Sequence, residues 1–475
     1  MDKKTIHYQL DYQGKYFHIT PKKRIRLAKD DSGNVTSIVC AVNDKELKST
    51  HGFSYAHNKK KFSGRISPES VSNQIADIRQ IVFEVTDACN LQCAYCAYGD
   101  LYMDYDTREN QNLSLDYAKT LIDYVSEKIN TLARKLHNNK ITISFYGGEP
   151  LLNMPFIKSV VHYLHAINFN KGHFSFNMTT NATLLKPHAD FLVEHNFHIL
   201  VSLDGTETHN QYRTFKNGNP TFQTIYDNLK YVQQTYPEFF EKKISFNAVI
   251  HNQSNTQEVF QFFKQEYNKI PLFSLLNNVG VKPEKQTLFD IMEKPKANIH
   301  SDFLDQDTKE EFRLHTVKTS ELTRFLHQYS GNVFRNYNDL LRNPKKVKFI
   351  PTGTCLPFNR KIYVTVNGKI LPCERIGHQY SLGHITSTGV AIDFKYIADK
   401  YNAYYDKMKN QCLHCYRIES CIQCLFNIQD LEAESPICPN FTNRKLFESY
   451  LVKNLNHFSH YPHLYADVMR NVILD

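Results

Sequence analysis

The stretch IVFEVTDACNLQCAYCAYG, Ile81 to Gly99, joins an apolar, β-branched run to three closely spaced cysteines, Cys89, Cys93 and Cys96. The run Ile81–Val85 has the composition of a buried strand. The thiols therefore fall on a tight loop just beyond that strand's carboxyl end. A zinc or iron–sulfur site closed by protein alone takes four ligands. Three thiols imply either a fourth ligand from elsewhere in the chain or a position left open for another molecule.

Working outward, SLDYAKTLIDYVSEKINTLARKL places Tyr117, Leu121, Ile122, Val125 and Ile129 at helical spacing. ITISFYGG is the next strand, followed by a helix around MPFIKSVVHYLHAI. HFSFNMTTN, FHILVSLDG and KISFNAVI read as further strands, separated by helical segments such as PTFQTIYDNLKYVQQ. Strand and helix thus alternate from about residue 80 to 255, which predicts parallel β/α units. Ligands of such folds bind at the carboxyl ends of the strands. GGEP, TTN and SLDG also stand at strand ends, so four polar motifs share one end and outline a single active site.

At 475 residues the chain has room for more than one domain. No run of about 18 apolar residues is present, and MDKKTIHYQLDYQGKYF lacks the apolar centre of a signal peptide, so the expected location is the cytoplasm, without membrane contact. Eleven cysteines in that compartment do not read as a disulfide framework. Three cluster at 89–96 and seven between Cys355 and Cys438, a pattern of metal ligation in two regions, with Cys40 standing alone. The net charge of +9 is concentrated early: residues 1–75 carry 14 Lys/Arg against 7 Asp/Glu. That surplus is a solvated face or a dock for an acidic peptide. No nucleic-acid motif accompanies it, so no nucleic-acid partner is expected.

The spacing Cys89-x3-Cys93-x2-Cys96, with aromatic Tyr95 just before the last cysteine, resembles the signature of the radical S-adenosylmethionine (SAM) superfamily. YGGEP at Tyr146–Pro150 follows the second strand as it does in that family. The resemblance implies a [4Fe–4S] cluster on the three thiols, with its fourth iron open to SAM. It implies that Gly147, Gly148 and Glu149 hold the SAM amino group, that Thr180 and Asn181 contact the ribose, and that Ser202 and Arg213 meet the carboxylate. Asp204 is expected to shape its turn or touch the ribose. The implied chemistry is reductive cleavage of SAM to methionine and a 5′-deoxyadenosyl radical, which takes a hydrogen atom from an unreactive C–H bond. A flavodoxin- or ferredoxin-type donor would supply the electron.

The later cysteines, Cys355, Cys373, then CLHCYRIESCIQC and Cys438, would suit a zinc ribbon. Together with the upstream loop they resemble the SPASM extension, which carries two auxiliary [4Fe–4S] clusters. By that resemblance Cys355, Cys373 and Cys424 hold the first, and Cys412, Cys415, Cys421 and Cys438 the second. Cys421 and Cys424 are separated by two residues where the family has three, and no eighth cysteine is available. The first auxiliary cluster would then be open to a substrate thiolate, water or another side chain. Glu374 directly follows Cys373. Sulfatase-maturing relatives have a carboxylate proposed as a base at this place, and burial would raise its pKa toward that work.

The expected architecture is a partial (β/α)6 radical SAM barrel with a SPASM domain and an N-terminal accessory module. The boundaries read 1–78 for the accessory module, a possible leader-peptide reader, and 79–255 for the radical SAM core. They continue with 256–350 as a helical bridging segment, 351–440 as the auxiliary-cluster domain and 441–475 as a helical tail. The expected function is radical modification of a ribosomally made precursor peptide, using three [4Fe–4S] clusters and SAM. The rivals are a sulfatase-type maturase forming formylglycine, a non-catalytic cluster-containing binding protein and a zinc-dependent interaction protein.

Overall fold

The computed structural model describes residues 16–20, 23–29, 35–43, 64–293 and 356–460, apart from 104, 132–139, 168, 170, 171, 279, 418–420 and 422. Most of the bridging segment and Cys355 lie outside these residues. The described residues form two compact units. One holds 67–293 and 356–398, and the other holds 16–43, 64–66 and 399–460.

In the larger unit, helix α1 (Pro68–Ala76) precedes a sheet whose parallel strands are β4 (Gln80–Thr86), β5 (Lys140–Gly147), β6 (His173–Thr180), β7 (His198–Ser202), β8 (Ile244–Ile250) and β9 (Leu272–Leu275). They follow in chain order the three strands of the smaller unit, β1 (Tyr16–Thr20), β2 (Lys23–Lys29) and β3 (Val35–Asn43). Between them run α2 (Leu115–Asn130), α3 (Met154–Ala166), α4 (Leu185–Glu194), α5 (Phe222–Thr235) with the short α6 (Pro237–Lys243), and α7 (Thr256–Tyr267). Six parallel strands joined by helices are the partial (β/α)6 order that the sequence predicts. Ile81 to Thr86 are buried without a break, as expected of a parallel strand covered on both faces. Of the stripe predicted on α2, Leu121, Ile122, Val125 and Ile129 are buried while Tyr117 is half-buried, and the Ser114 side chain caps the first turn.

Two features depart from the reading of the sequence. The β/α alternation does not stop at residue 255: Asn255 caps α7, and β9 then pairs parallel with β8. Strand β10 (Lys361–Val364) lies parallel to β4 on its other side, with Lys361 opposite Gln80 and Val364 opposite Phe83. From it β11 (Lys369–Leu371), β12 (Gly383–Thr386) and β13 (Gly389–Ala391) continue the sheet antiparallel, after helix α8 (Gln286–Met292) in chain order. The hairpin around Asn367-Gly368 is therefore an extension of the barrel sheet. Its turn is not the two-residue type I′ form that an Asn-Gly pair favours. Gly368 N–H donates to Thr365 O and Thr365 N–H to Lys369 O, closing a three-residue loop in which Gly368 has φ +75° and Asn367 stays in the ordinary region. A glycine bulge after a common turn needs only one positive φ, whereas type I′ needs two.

The smaller unit has an antiparallel sheet β1 (Tyr16–Thr20), β2 (Lys23–Lys29) and β3 (Val35–Asn43), in that spatial order. Helix α9 (Phe394–His414) delivers its later turns to this unit, and α10 (Arg444–His460) lies beside β3. Among the described residues no helix is long and apolar enough to cross a membrane.

Candidate active site

The three-cysteine loop leaves β4 at Thr86 and is stitched to the segment after β7. Gln92 N–H donates to Thr214 O at 2.8 Å, Ala94 N–H to Tyr212 O at 3.0 Å, and Leu91 bridges Phe215. At its entrance, Gly148 N–H donates to Thr86 O and Glu149 N–H to Ala88 O, both at 2.9 Å. That contact explains the glycine pair. A Cβ on Gly148 would fall inside Ala88 O, one on Gly147 would meet Thr86 O, and Gly147 has φ +133°. The glycines allow backbone to pass against backbone.

Burial, together with neighbouring negative groups, pushes the Cys89 thiol up to about 11 and the Cys93 thiol up to about 12. Cys93 feels both other loop thiols and Cys89 feels Cys96, so the structure brings all three together. Leu91 N–H donates to Cys89 Sγ at 3.4 Å, the Asn181 amide approaches it at 3.9 Å, and Arg213 Nη1 stands 4.0 Å from Cys93 Sγ. Among the described residues no three His, Cys, Asp or Glu side chains close on a single-ion site. Three adjacent, half-buried thiols ringed by N–H donors fit a sulfur-ligated cluster, because a bound cation is what keeps such thiols ionised.

Glu149, Thr180 and Asn181 form one buried network. Thr180 Oγ1 donates to Glu149 Oε1 at 2.6 Å, Leu151 N–H to the same oxygen at 3.1 Å, and Asn181 N–H to Oε2 at 2.8 Å. Burial raises the Glu149 carboxyl to about 7 despite these three donors. The Asn181 amide also bonds Asn90 of the cysteine loop, at 2.9 Å.

Asp204 and Arg213 are paired with each other. Arg213 Nε donates to Asp204 Oδ2 at 3.0 Å and Nη2 to Oδ1 at 3.1 Å. Tyr95, from within the cysteine loop, donates its hydroxyl to Oδ2 as well. Burial works against charge on Arg213, but Asp204 outweighs it and the guanidinium stays protonated. Ser202 ends β7 half-buried, opposite Asn247 of β8.

Glu374 stands on the same unit as the loop. Lys361 Nζ bonds both its oxygens, at 3.0 and 2.9 Å, and Tyr98 donates to its backbone oxygen at 3.4 Å. Burial pushes its carboxyl up, yet the Lys361 ammonium more than offsets this and the pKa lies below the ordinary carboxylate range. The raised value expected from the sequence is thereby corrected. Tyr146, the first residue of YGGEP, feels both Glu374 and Cys96, which puts candidate base and cluster loop on one wall. Tyr98 completes this wall, its ring 6.2 Å from Tyr146 and its hydroxyl 3.3 Å from that of Tyr363. Arg108 lies 4.1 Å over the Tyr98 ring, donates to Asp87 O and reaches Glu84 Oε1 at 3.1 Å.

The sequence reading missed Tyr98, Tyr146, Lys361 and Arg108. Tyr98 and Tyr146 lie inside the quoted motifs and were legible as neighbours of Cys96 and Gly147. Lys361 and Arg108 carry no local signal.

The later cysteines divide between the units. Cys373 lies with the barrel, its sulfur 3.5 Å from Glu374 Oε2. In the smaller unit Cys412 sits in the last turn of α9, Cys415 N–H donates to Cys412 O, and Gln411 Oε1 accepts from Cys438 N–H at 3.1 Å. Burial raises the Cys438 thiol to about 11, with the nearby Cys421 and Cys415 adding to the rise. Cys424 precedes a short 3₁₀ turn at Leu425–Asn427.

Residues 83–264 match the model of the Radical SAM superfamily. An uncharacterized protein of Methanocaldococcus jannaschii is 32% identical over 162 residues, 34% of this chain; the chain spans only 50% of that protein's length. A cysteine-type anaerobic sulfatase-maturating enzyme of Clostridium novyi is 21% identical over 392 residues, covering 80% of this chain and 96% of its own. Native anSMEcpe with bound AdoMet superposes with a TM-score of 0.54 at 18% identity, over 83% of this chain and all of that one, which shows a common fold. A second structure of it, with AdoMet and a Kp18Cys peptide, gives a TM-score of 0.51 at 18% identity, over 83% and 99% of the two chains.

Proposed function

Residues 83–264 are a radical SAM domain, and from that premise we propose that this enzyme modifies a ribosomally made precursor peptide. The observation that carries the proposal is that Tyr98, two residues beyond Cys96, donates to the Glu374 backbone oxygen at 3.4 Å. It sets an ionised carboxylate beside the loop where the radical would be made, and a peptide maturase needs a proton acceptor there once hydrogen has been removed.

A [4Fe–4S] cluster on Cys89, Cys93 and Cys96 would supply the electron that cleaves SAM. Glu149 then offers its carboxylate to the SAM ammonium, while Thr180 and Asn181 hold that carboxylate in place and stand where the ribose is expected. Gly147 and Gly148 keep Glu149 against the loop. Arg213 keeps one guanidinium nitrogen on the cluster side, and Ser202 lies at the adjoining strand end. After the 5′-deoxyadenosyl radical has taken one hydrogen atom, Glu374 accepts the proton, Lys361 keeps it ionised until then, and an auxiliary cluster would take up the one electron left on the substrate. Cys412, Cys415, Cys421 and Cys438 are assigned to one auxiliary cluster, as the resemblance implies. A flavodoxin- or ferredoxin-type protein is the expected donor.

The N-terminal strands are assigned to leader-peptide docking by strand addition. The 14 Lys/Arg of residues 1–75 suit an acidic leader. The coverage of the Clostridium novyi enzyme over 96% of its length favours a second reading, a sulfatase-type maturase acting on cysteine or serine.

The deciding experiment is anaerobic reconstitution followed by mass spectrometry of two peptides: a short peptide encoded beside this gene and a sulfatase-type cysteine peptide. About twelve irons per chain, from three four-iron clusters, and loss of two hydrogens from the neighbouring peptide support the proposal. Conversion of the sulfatase peptide alone to an aldehyde selects the second reading. Zinc in place of iron, with no SAM cleavage, overturns both.

A further inference from the structure

We infer that Asp204 is a positioning residue that holds the three-cysteine loop through Tyr95, and that it has no capacity left to contact the SAM ribose. The inference rests on the loop being the cluster site.

Asp204 is wholly buried at the turn after β7. Its Oδ1 accepts from Arg213 Nη2 at 3.1 Å and from Val249 N–H at 2.9 Å. Its Oδ2 accepts from Arg213 Nε at 3.0 Å and from the Tyr95 hydroxyl. An ionised carboxylate has about four lone-pair sites, and four protein donors occupy them here. A ribose hydroxyl would have to displace one of these buried bonds.

The donors tie three separate pieces of the barrel to one carboxylate. Tyr95 comes from the loop, between Cys93 and Cys96; Arg213 comes from the segment that stitches the loop; Val249 belongs to β8. The Tyr95 ring is itself fixed, stacked 6.1 Å from His251, edge-on to Tyr212 at 6.2 Å, and 5.3 Å from the Arg213 guanidinium. Because Tyr95 is immobilised at both ring and hydroxyl, the backbone of Cys93 and Cys96 has little freedom. Arg213 Nη1 is left 4.0 Å from Cys93 Sγ, so the same carboxylate also aims a cation at a cluster ligand. Groups that orient metal ligands in this way are worth about 10–100-fold in metal affinity or activity.

Tyr95→Phe deletes only the hydroxyl and keeps the packed ring, so it tests the tie without unfolding the site. In the reconstituted full chain, three results are expected. The midpoint potential of the EPR signal that SAM perturbs shifts, 5′-deoxyadenosine release without peptide falls about tenfold, and the dissociation constant of SAM stays within about twofold, since no SAM contact is lost. Asp204→Asn should produce the same pattern, and the double variant should be no worse than Asp204→Asn, because both remove one shared interaction. In the metal-free protein, hydrogen exchange at Leu91 to Cys96 should be faster in Tyr95→Phe than in wild type.

An unchanged potential together with unchanged exchange in Tyr95→Phe overturns the inference. So does Asp204→Asn weakening SAM binding about tenfold at an unchanged potential, the signature of a direct cofactor contact. If Asp204→Asn does not fold, Tyr95→Phe alone decides. Failure of the underlying function is distinguishable, because the wild type would then take up no SAM-responsive cluster whatever the exchange rates show.

Discussion

Lys361 Nζ bonds both carboxylate oxygens of Glu374, at 3.0 and 2.9 Å, from a strand that runs parallel to the one carrying the cysteine loop. Burial pushes the Glu374 carboxyl up, and the Lys361 ammonium more than reverses that. The pair gives the candidate base a fixed place and a fixed charge.

Glu374→Gln keeps the shape and removes the proton acceptor. Peptide product should fall by about 10²–10⁴, the usual worth of a positioned acid–base group, while 5′-deoxyadenosine release persists. Lys361→Met leaves Glu374 buried without its cation, so its pKa rises and the acid limb of the peptide rate profile moves to higher pH. Quantifying both products by mass spectrometry from pH 5 to 9 (on the order of two units either side of neutrality) checks this. Equal loss of the two products in Glu374→Gln would assign the residue to cofactor binding instead.

Arg108 spans Glu84, the carbonyl of Asp87 and the Tyr98 ring. Glu84 is 2% exposed, and its other oxygen accepts Val366 N–H at 3.0 Å, tying β4 to the hairpin loop. Burial raises the Glu84 carboxyl, and Arg108 is the chief group opposing that rise. Arg108→Met would leave a buried carboxylate without its cation, at about 3–5 kcal/mol. Denaturant titration should show that loss, and adding Glu84→Gln should recover part of it.

The fold was legible where periodicity is local. The stripe on α2 and the apolar run of β4 each state their own burial, and the strand-end motifs converge because parallel β/α units place them at one end. What was not legible is long-range. Nothing around Lys361 announces that β10 pairs with β4, because that pairing joins residues 80 and 361, far apart in sequence. Without it, Lys361 could not be set against Glu374, and the direction of the Glu374 shift came out reversed. Asp204 and Arg213 were each singled out, but their mutual pairing follows from the turn after β7, which no spacing rule supplies.

The glycine pair gives a steric prediction. A Cβ on Gly148 would overlap the backbone oxygen of Ala88, which no side-chain movement relieves. Gly218 also has an unusual backbone, φ +83°, but a Cβ there meets nothing within 4 Å. Gly218→Ala should cost only the left-handed penalty of about 1–2 kcal/mol and retain iron. Gly148→Ala should displace the loop entrance and lower iron bound at Cys89, Cys93 and Cys96. Iron content, together with the SAM-dependent change in the EPR spectrum, separates the two. Equal behaviour would mean that the loop tolerates a shifted entrance.

Glu149 gives the pH dependence. Its carboxyl sits at about 7, raised by burial and only partly restrained by Thr180, Asn181 and Leu151. A raised carboxyl means that the folded state holds a proton which the unfolded chain has already released. Stability contributed by this group therefore falls as pH rises from the ordinary glutamate value through about 7, by on the order of 3 kcal/mol. SAM binding has the opposite slope, since its ammonium needs the ionised form. Affinity for SAM should rise by up to about tenfold per pH unit below 7 and level off above it. Glu149→Gln should flatten both slopes, making the metal-free protein relatively more stable at pH 8 (about one unit above the transition) while weakening SAM binding there. Calorimetric titration of the cluster-loaded protein and denaturant midpoints of the metal-free one supply the two curves. A SAM affinity that does not change between pH 6 and 8, roughly one unit either side of the transition, would remove Glu149 from the ammonium site.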